Sequence, residues 1–182
     1  MLDALEKDYE RIDGKEVLMS PVSRFHSNVS LNLSSIIRNY LRGKRCKVYQ
    51  DVYVRFDEDN FFAPDVMIVC DRSKEKRGII EGAPDFVAEI LSPATRKNDI
   101  GKKKDAYERF GVKEYWIVHP REETIDVYLL RDGKYVLDNS YHNYTEEEKE
   151  LLHLEHKEVP GPTLKLGLYD DFELDIREIF ED

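Results

Sequence analysis

The chain has 182 residues, 41% of them hydrophobic, with a formal net charge of -10 and an isoelectric point near 5.1. That length and apolar content suit one compact domain over residues 1–182 with a substantial core. The acidity excludes a protein that coats nucleic acid over its whole surface, because a phosphate backbone would be repelled across most of it. The opening "MLDALEKDYE" lacks the basic-then-apolar order of a signal peptide, and no apolar run is long enough to span a membrane. Cys46 and Cys70 form no CxxC pair and are too few for a disulfide framework, so a reducing, cytoplasmic location is expected.

Asp13-Gly14 lies between two strand-like runs in "DYERIDGKEVLMS", which predicts a hairpin. In "SRFHSNVSLNLSSIIRNYLRG", Phe25, Val29, Leu33, Ile36, Ile37 and Tyr40 recur at helical spacing and Gly43 supplies a stop, predicting a long amphipathic helix. "CKVYQDVYVRF" and "FFAPDVMIVC" read as an antiparallel pair, the second too apolar to be an edge. "PDFVAEILS" is a nearly continuous apolar strand, "IGKKKDAYERFG" a helix ending at Gly111 and "KEYWIVHP" another strand, together a βαβ unit. "TIDVYLLRDGKYVLD" adds a hairpin about Asp132-Gly133. "TEEEKELLHLEHKE" predicts a short exposed acidic helix, whose His153 and His156 lack a third metal ligand. "ELDIREIFED" is an acidic tail with enough apolar residues to dock.

The chemistry concentrates in the βαβ unit. Strand alternation puts Val87, Glu89 and Leu91 on one face, and Phe86, Ala88 and Ile90 on the other. Glu89 thus points among apolar neighbours and must take up a proton, find a cation or bind a metal. Asp65 reaches the same cleft if its strand lies beside that of Glu89. A divalent cation relieves the repulsion between two close carboxylates, and oxygen ligands favour magnesium or manganese. On the following helix Ile100, Ala106, Tyr107 and Phe110 define an apolar stripe with Lys103 near its centre, so Lys103 points toward the sheet while Lys102 and Lys104 face solvent. An inward ammonium beside two metal-binding acids suits phosphodiester hydrolysis. From Arg96 to Lys104 five basic residues, Arg96, Lys97, Lys102, Lys103 and Lys104, stand against Asp99, a local +4 that leaves -14 elsewhere. Arg96, Lys97, Lys102 and Lys104 are candidate phosphate contacts, or a solvated basic face.

The segments "YERIDGKEVLMSP", "APDVMIVC" and "GAPDFVAEILSPATRKNDIGKKKDAYERFGVKEYWIVHP" occur in an order that resembles the Uma-two family of bacterial endonucleases, within the PD-(D/E)XK, restriction-endonuclease-like superfamily. The resemblance runs from about Tyr9 to Tyr128, with an echo at "PGPTLKLG" and "REIF". It implies an α/β core of mixed sheet flanked by helices, magnesium- or manganese-dependent cleavage of DNA, and a homodimer for double-strand cleavage. By the same resemblance Asp65 and Glu89 are the catalytic acids and metal ligands, the main-chain carbonyl of Ile90 is a further ligand, and Lys103 replaces the lysine expected two residues after Glu89, where Leu91 stands. Glu10 and His26 match accessory positions of the family, and Tyr107, one turn after Lys103, is placed to hydrogen-bond into the site; each has a purely structural alternative. A catalytically inactive nuclease-like binding or assembly module, and a glycoside hydrolase using Asp65 and Glu89, are the rival readings.

Overall fold

The computed structural model describes residues 9–19, 22–93 and 95–181, so the opening segment read above for targeting lies outside the described residues. β1 (Tyr9–Ile12) and β2 (Lys15–Leu18) form the expected hairpin. Asp13 and Gly14 both take positive φ, 49° and 72°, as a two-residue turn matched to strand twist requires. α1 (Arg24–Tyr40) is capped by Ser23, whose hydroxyl accepts the backbone N–H of His26 at 3.2 Å. Val29, Leu33 and Ile37, at i, i+4 spacing, are its buried stripe.

A six-stranded sheet forms the centre, in the order β12-β11-β10-β9-β6-β3. It comprises β3 (Lys47–Gln50), β6 (Val66–Val69), β9 (Phe86–Ile90), β10 (Glu114–His119), β11 (Thr124–Arg131) and β12 (Lys134–His142). β9 and β10 run parallel, joined by the predicted helical crossover, and their neighbours pair antiparallel. One face, through Phe86, Ala88, Ile90 and Trp116, packs on α1 and the C-terminal segment. That segment consists of β13 (Thr163–Lys165), β14 (Glu173–Asp175) and α5 (Ile176–Phe180), and it is tied to α1 where Asn32 donates to the carbonyls of Ile179 and Glu181. α4 (Glu146–Leu154) is the expected acidic helix, with no buried residue.

The other face carries Val87, Leu91, Met67 and Tyr115, and it packs under a smaller six-stranded sheet and the crossover helix. The smaller sheet runs β2-β1-β5-β4-β8-β7, adding β4 (Val54–Arg55), β5 (Phe61–Phe62), β7 (Glu75–Lys76) and β8 (Ile79–Glu81). The predicted pair around "DEDN" is therefore split between the two sheets: β3 pairs with β6, and β4 with β5. Among the described residues no helix is long and apolar enough to cross a membrane.

Two expectations are corrected. Cys46 and Cys70 are joined by a disulfide. The β3–β6 register pairs Lys47 with Val69, and one further step sets Cys46 against Cys70, so strand register brings together residues 24 apart that no sequence spacing links. The cysteines therefore no longer argue for a reducing compartment. Ile100, placed on the apolar stripe, is 44% exposed, and Asp99 is buried instead. The crossover helix begins as α2 (Arg96–Asn98), passes through a π-helical turn, Asp99–Lys103, and continues as α3 (Lys104–Phe110) to Gly111, whose φ is +82°. A π turn advances less per residue than an α turn, which rotates Asp99 inward and Ile100 out.

Candidate active site

Pro64 and Asp65 end the ladder between β6 and β9. Val66 pairs with Ala88, and extending that register by two residues would set Ile90 opposite Pro64, which has no N–H to give. The Ile90 amide donates instead to Asp65 Oδ2 at 2.6 Å. In an extended strand the carbonyl of the same residue faces the same side, so the Ile90 oxygen receives no ladder bond from position 64. Glu89, 1% exposed, projects to the opposite face of β9, and its Oε2 lies 3.4 Å from the Asp65 amide.

Lys103 reaches this carboxylate from the crossover helix. Its ammonium lies 2.9 Å from Glu10 Oε1, 3.2 Å from Glu89 Oε1 and 3.6 Å from Asp99 Oδ1, and the residue is 4% exposed. Tyr107, one turn on, donates its hydroxyl to Glu89 Oε1 at 2.5 Å while its ring packs among Phe56, Phe62 and Tyr115, so it is both core and site. Glu10 arrives from the first hairpin and also accepts the Ala63 N–H at 3.1 Å. His26, in the first turn of α1, places Nε2 3.1 Å from Asp65 Oδ2.

One oxygen of each principal acid is thus held and the other is open. Asp65 Oδ2 is taken by Ile90 and His26, whereas Oδ1 receives no hydrogen bond from the described residues. Glu89 Oε1 is taken by Tyr107 and Lys103, whereas Oε2 has only the long contact to the Asp65 amide. These groups line a cleft of about 80 Å³, walled on its apolar side by Val17, Leu18 and Val22, which is room for more than one water.

The cleft is short of positive charge. Glu10, Asp51, Asp65, Glu89 and Asp99 face one ammonium and one imidazole. Burial pushes Glu89 well above the usual carboxylate range; Lys103 opposes that, and Asp65, Asp99 and Glu10 reinforce it. Burial likewise raises Asp99 to about 6, with Lys103 and Thr95 opposing. For Lys103 burial favours the neutral amine, but Glu89, Glu10 and Asp99 outweigh it and keep the group an ammonium. His26 is also raised, because the hydrogen bond and charge of Asp65, with Asp51 and Asp99 behind it, overcome the cost of burial.

Sequence reasoning missed Asp99, whose Oδ1 is buried with no hydrogen-bond partner; the signal was an acid four residues before an inward lysine. Of the basic residues, Arg96, Lys97 and Lys102 are exposed beside the cleft. Lys104, expected to face solvent, lies with Nζ 3.5 Å from the centre of the Tyr128 ring. Among the described residues no three His, Cys, Asp or Glu side chains form a ready-made metal cage.

A family model described as "Uma2: Putative restriction endonuclease" matches residues 1–160. The chain belongs to the Uma2 family. Similar to this Uma2 chain is the "Uncharacterized protein slr1290" of Synechocystis sp. (strain ATCC 27184 / PCC 6803 / Kazusa), 31% identical over 127 residues, which span 68% of this chain and 67% of that protein. In fold, it is similar to a crystal structure described as "a putative nuclease belonging to DUF820 from Anabaena variabilis ATCC 29413". The TM-score is 0.73 at 20% identity, over 96% of this chain and 90% of the other. The Uma2 chain therefore has the expected mixed α/β fold, with helices flanking its sheets, and the catalytic question rests on its own cleft.

Proposed function

We propose that this single-domain protein is a metal-dependent endonuclease that hydrolyses phosphodiester bonds in DNA. The observation that carries the reading is the pair of open oxygens, Asp65 Oδ1 and Glu89 Oε2, beside the unclaimed Ile90 carbonyl in a cleft with more carboxylates than cations. An all-oxygen donor set with surplus negative charge suits Mg²⁺ or Mn²⁺, the rest of the coordination shell coming from water. Asp65, Glu89 and the Ile90 carbonyl would hold the ion. When bound, it supplies Lewis acidity toward the phosphate and lowers the pKa of its water.

The chain's own residues do the rest. His26 and the Ile90 amide fix Asp65, and Tyr107, whose hydroxyl burial keeps protonated, fixes Glu89. Glu10 and Asp99 hold Lys103 against the cleft wall, where its ammonium balances negative charge that develops on the phosphate oxygens as a water oxygen attacks phosphorus and one ester bond breaks. Arg96, Lys97 and Lys102, exposed beside the cleft, steer the substrate's phosphates. Because the pinning bonds exist before any substrate arrives, little reorganisation is needed at the moment of reaction.

The test is cleavage of plasmid, linear and single-stranded DNA, with RNA in parallel, in Mg²⁺ or Mn²⁺. Asp65→Ala and Glu89→Ala should each abolish cleavage and the calorimetric signal of metal binding while the fold persists. If both variants cleave as well as the parent, the assignment is wrong. Light scattering of parent and DNA-bound protein tests the homodimer that double-strand cleavage implies.

A further inference from the structure

From Val17 to Gln50 the chain carries six lysines and arginines and no aspartate or glutamate; since the whole is -10, the remaining residues carry -16. This acid-free stretch contains α1, the turn after it and β3. β3 is the last strand of the large sheet, with no strand beside its outer edge among the described residues. Between that edge and α1 runs a groove of about 390 Å³ lined by Ser34, Ser35, Arg38, Arg42, Lys47 and Gln50. Among the described residues no acid forms an ion pair with Arg38, Arg42 or Lys47, although the charge of Lys47 helps hold the Glu75 carboxyl low. Lys44, by contrast, is engaged with Asp171 at 3.9 Å and over the Tyr40 ring.

The groove and the cleft are lined by consecutive residues of the chain. Gln50 lines the groove and Asp51, the next residue, lines the cleft. Gln50 Nε2 donates to Ser30 Oγ at 2.8 Å, one helical turn beyond His26. Along α1 the axial distance from His26 to Arg38 is about 18 Å, at about 1.5 Å per residue. That is about five base-pair steps measured along a duplex axis, at about 3.4 Å of axis per phosphate of one strand.

Building on the nuclease reading above, we propose that the α1–β3 groove is the track of the substrate's sugar-phosphate backbone, with Arg38, Arg42 and Lys47 each neutralising a phosphate. Serine hydroxyls and a glutamine amide between the cations are suited to phosphate oxygens, which position a strand without reading its sequence. A second copy of the chain is the poorer occupant. A two-fold contact would set this acid-free surface against itself, with like charges facing and no carboxylates to answer them.

The experiment is fluorescence anisotropy of a labelled DNA duplex, a single strand and an RNA in EDTA over a KCl series, comparing the parent with Arg38→Ala/Arg42→Ala/Lys47→Ala. Removing three phosphate contacts should flatten the plot of log affinity against log salt by about 2.7 on duplex and about 2.1 on a single strand. Each single variant should flatten it by about a third as much, and circular dichroism melts should match the parent. If the parent binds and cleaves while the triple variant keeps the parent slope, the groove is wrong and the nuclease reading stands. A parent that neither binds nor cleaves any polynucleotide overturns both. A parent dimer that the triple substitution converts to monomer assigns the groove to a second copy and overturns the proposal.

Discussion

Glu114 offers a quantitative test of the packing that supports the site. It sits on β10, 2% exposed, its Oε1 accepting the Trp116 indole N–H at 2.7 Å and its Oε2 the Gly167 amide at 2.8 Å. Burial pushes its carboxyl from 4.5 up to about 7, against both donors. The native state therefore holds a proton that the unfolded chain releases, so this group's stabilising effect is complete below about pH 4.5 and is lost as pH rises through about 7. At about 1.4 kcal/mol per unit, the shift of roughly 2.5 units corresponds to a loss of about 3.4 kcal/mol. Glu114→Gln removes the titration. Its amide nitrogen must also face one of the two donors, forfeiting a hydrogen bond at a cost of about 1–3 kcal/mol. Urea denaturation between pH 5 and 8, followed by the fluorescence of the sole tryptophan, Trp116, reads both effects. The variant should be less stable at pH 5, and the difference between the two should shift by about 2.5 kcal/mol in the variant's favour by pH 8. Parallel curves for parent and variant would refute the reasoning.

Tyr107→Phe strips Glu89 Oε1 of its hydroxyl partner and leaves it to Lys103, so stability should fall by about 1.5–3 kcal/mol and cleavage should drop without vanishing, read by urea melts and plasmid nicking. Lys103→Met leaves Glu10, Glu89 and Asp99 without their shared cation; cleavage should cease and stability fall by about 3–5 kcal/mol at neutral pH, with recovery as the pH is lowered and the raised carboxyls protonate. Reduction of the Cys46–Cys70 bridge, closing a span of 24 residues, should lower stability by about 3.5 kcal/mol, and thiol labelling of the unfolded chain should detect no free cysteine until reductant is added.

Side-chain periodicity carried the sequence reading where the backbone is regular. Alternation in "PDFVAEILS" places Glu89 on the face it occupies, and the two Asp-Gly pairs mark the hairpins at Asp13 and Asp132, both with positive φ. Periodicity fails where the backbone departs from it. The α-helical phase located Lys103, but the π turn just before it turns Ile100 out and Asp99 in. Cys46 and Cys70 meet through a strand register that no local pattern encodes. The basic groove was legible in composition alone, as an acid-free stretch from Val17 to Gln50. Charge counted only near Glu89 finds the +4 around Lys103 and passes over the +6 carried by α1, the turn after it and β3.

Packing on the strand face beyond Glu89 accounts for the site lysine coming from a helix. A lysine two residues after Glu89 would lie on the same strand face, about 7 Å further along. Leu91 occupies that place, 7% exposed, in the apolar cluster with Ala106 and Tyr107 that seats the crossover helix on the sheet. An ammonium at position 91 would have to be desolvated inside that cluster, whereas one at 103 enters beside Glu10 and Asp99, which already line the cleft. The helix thus delivers the charge to Glu89 at 3.2 Å while the strand keeps its apolar contact. The cost is two further buried acids, and their surplus negative charge is what makes this cleft suited to a divalent cation.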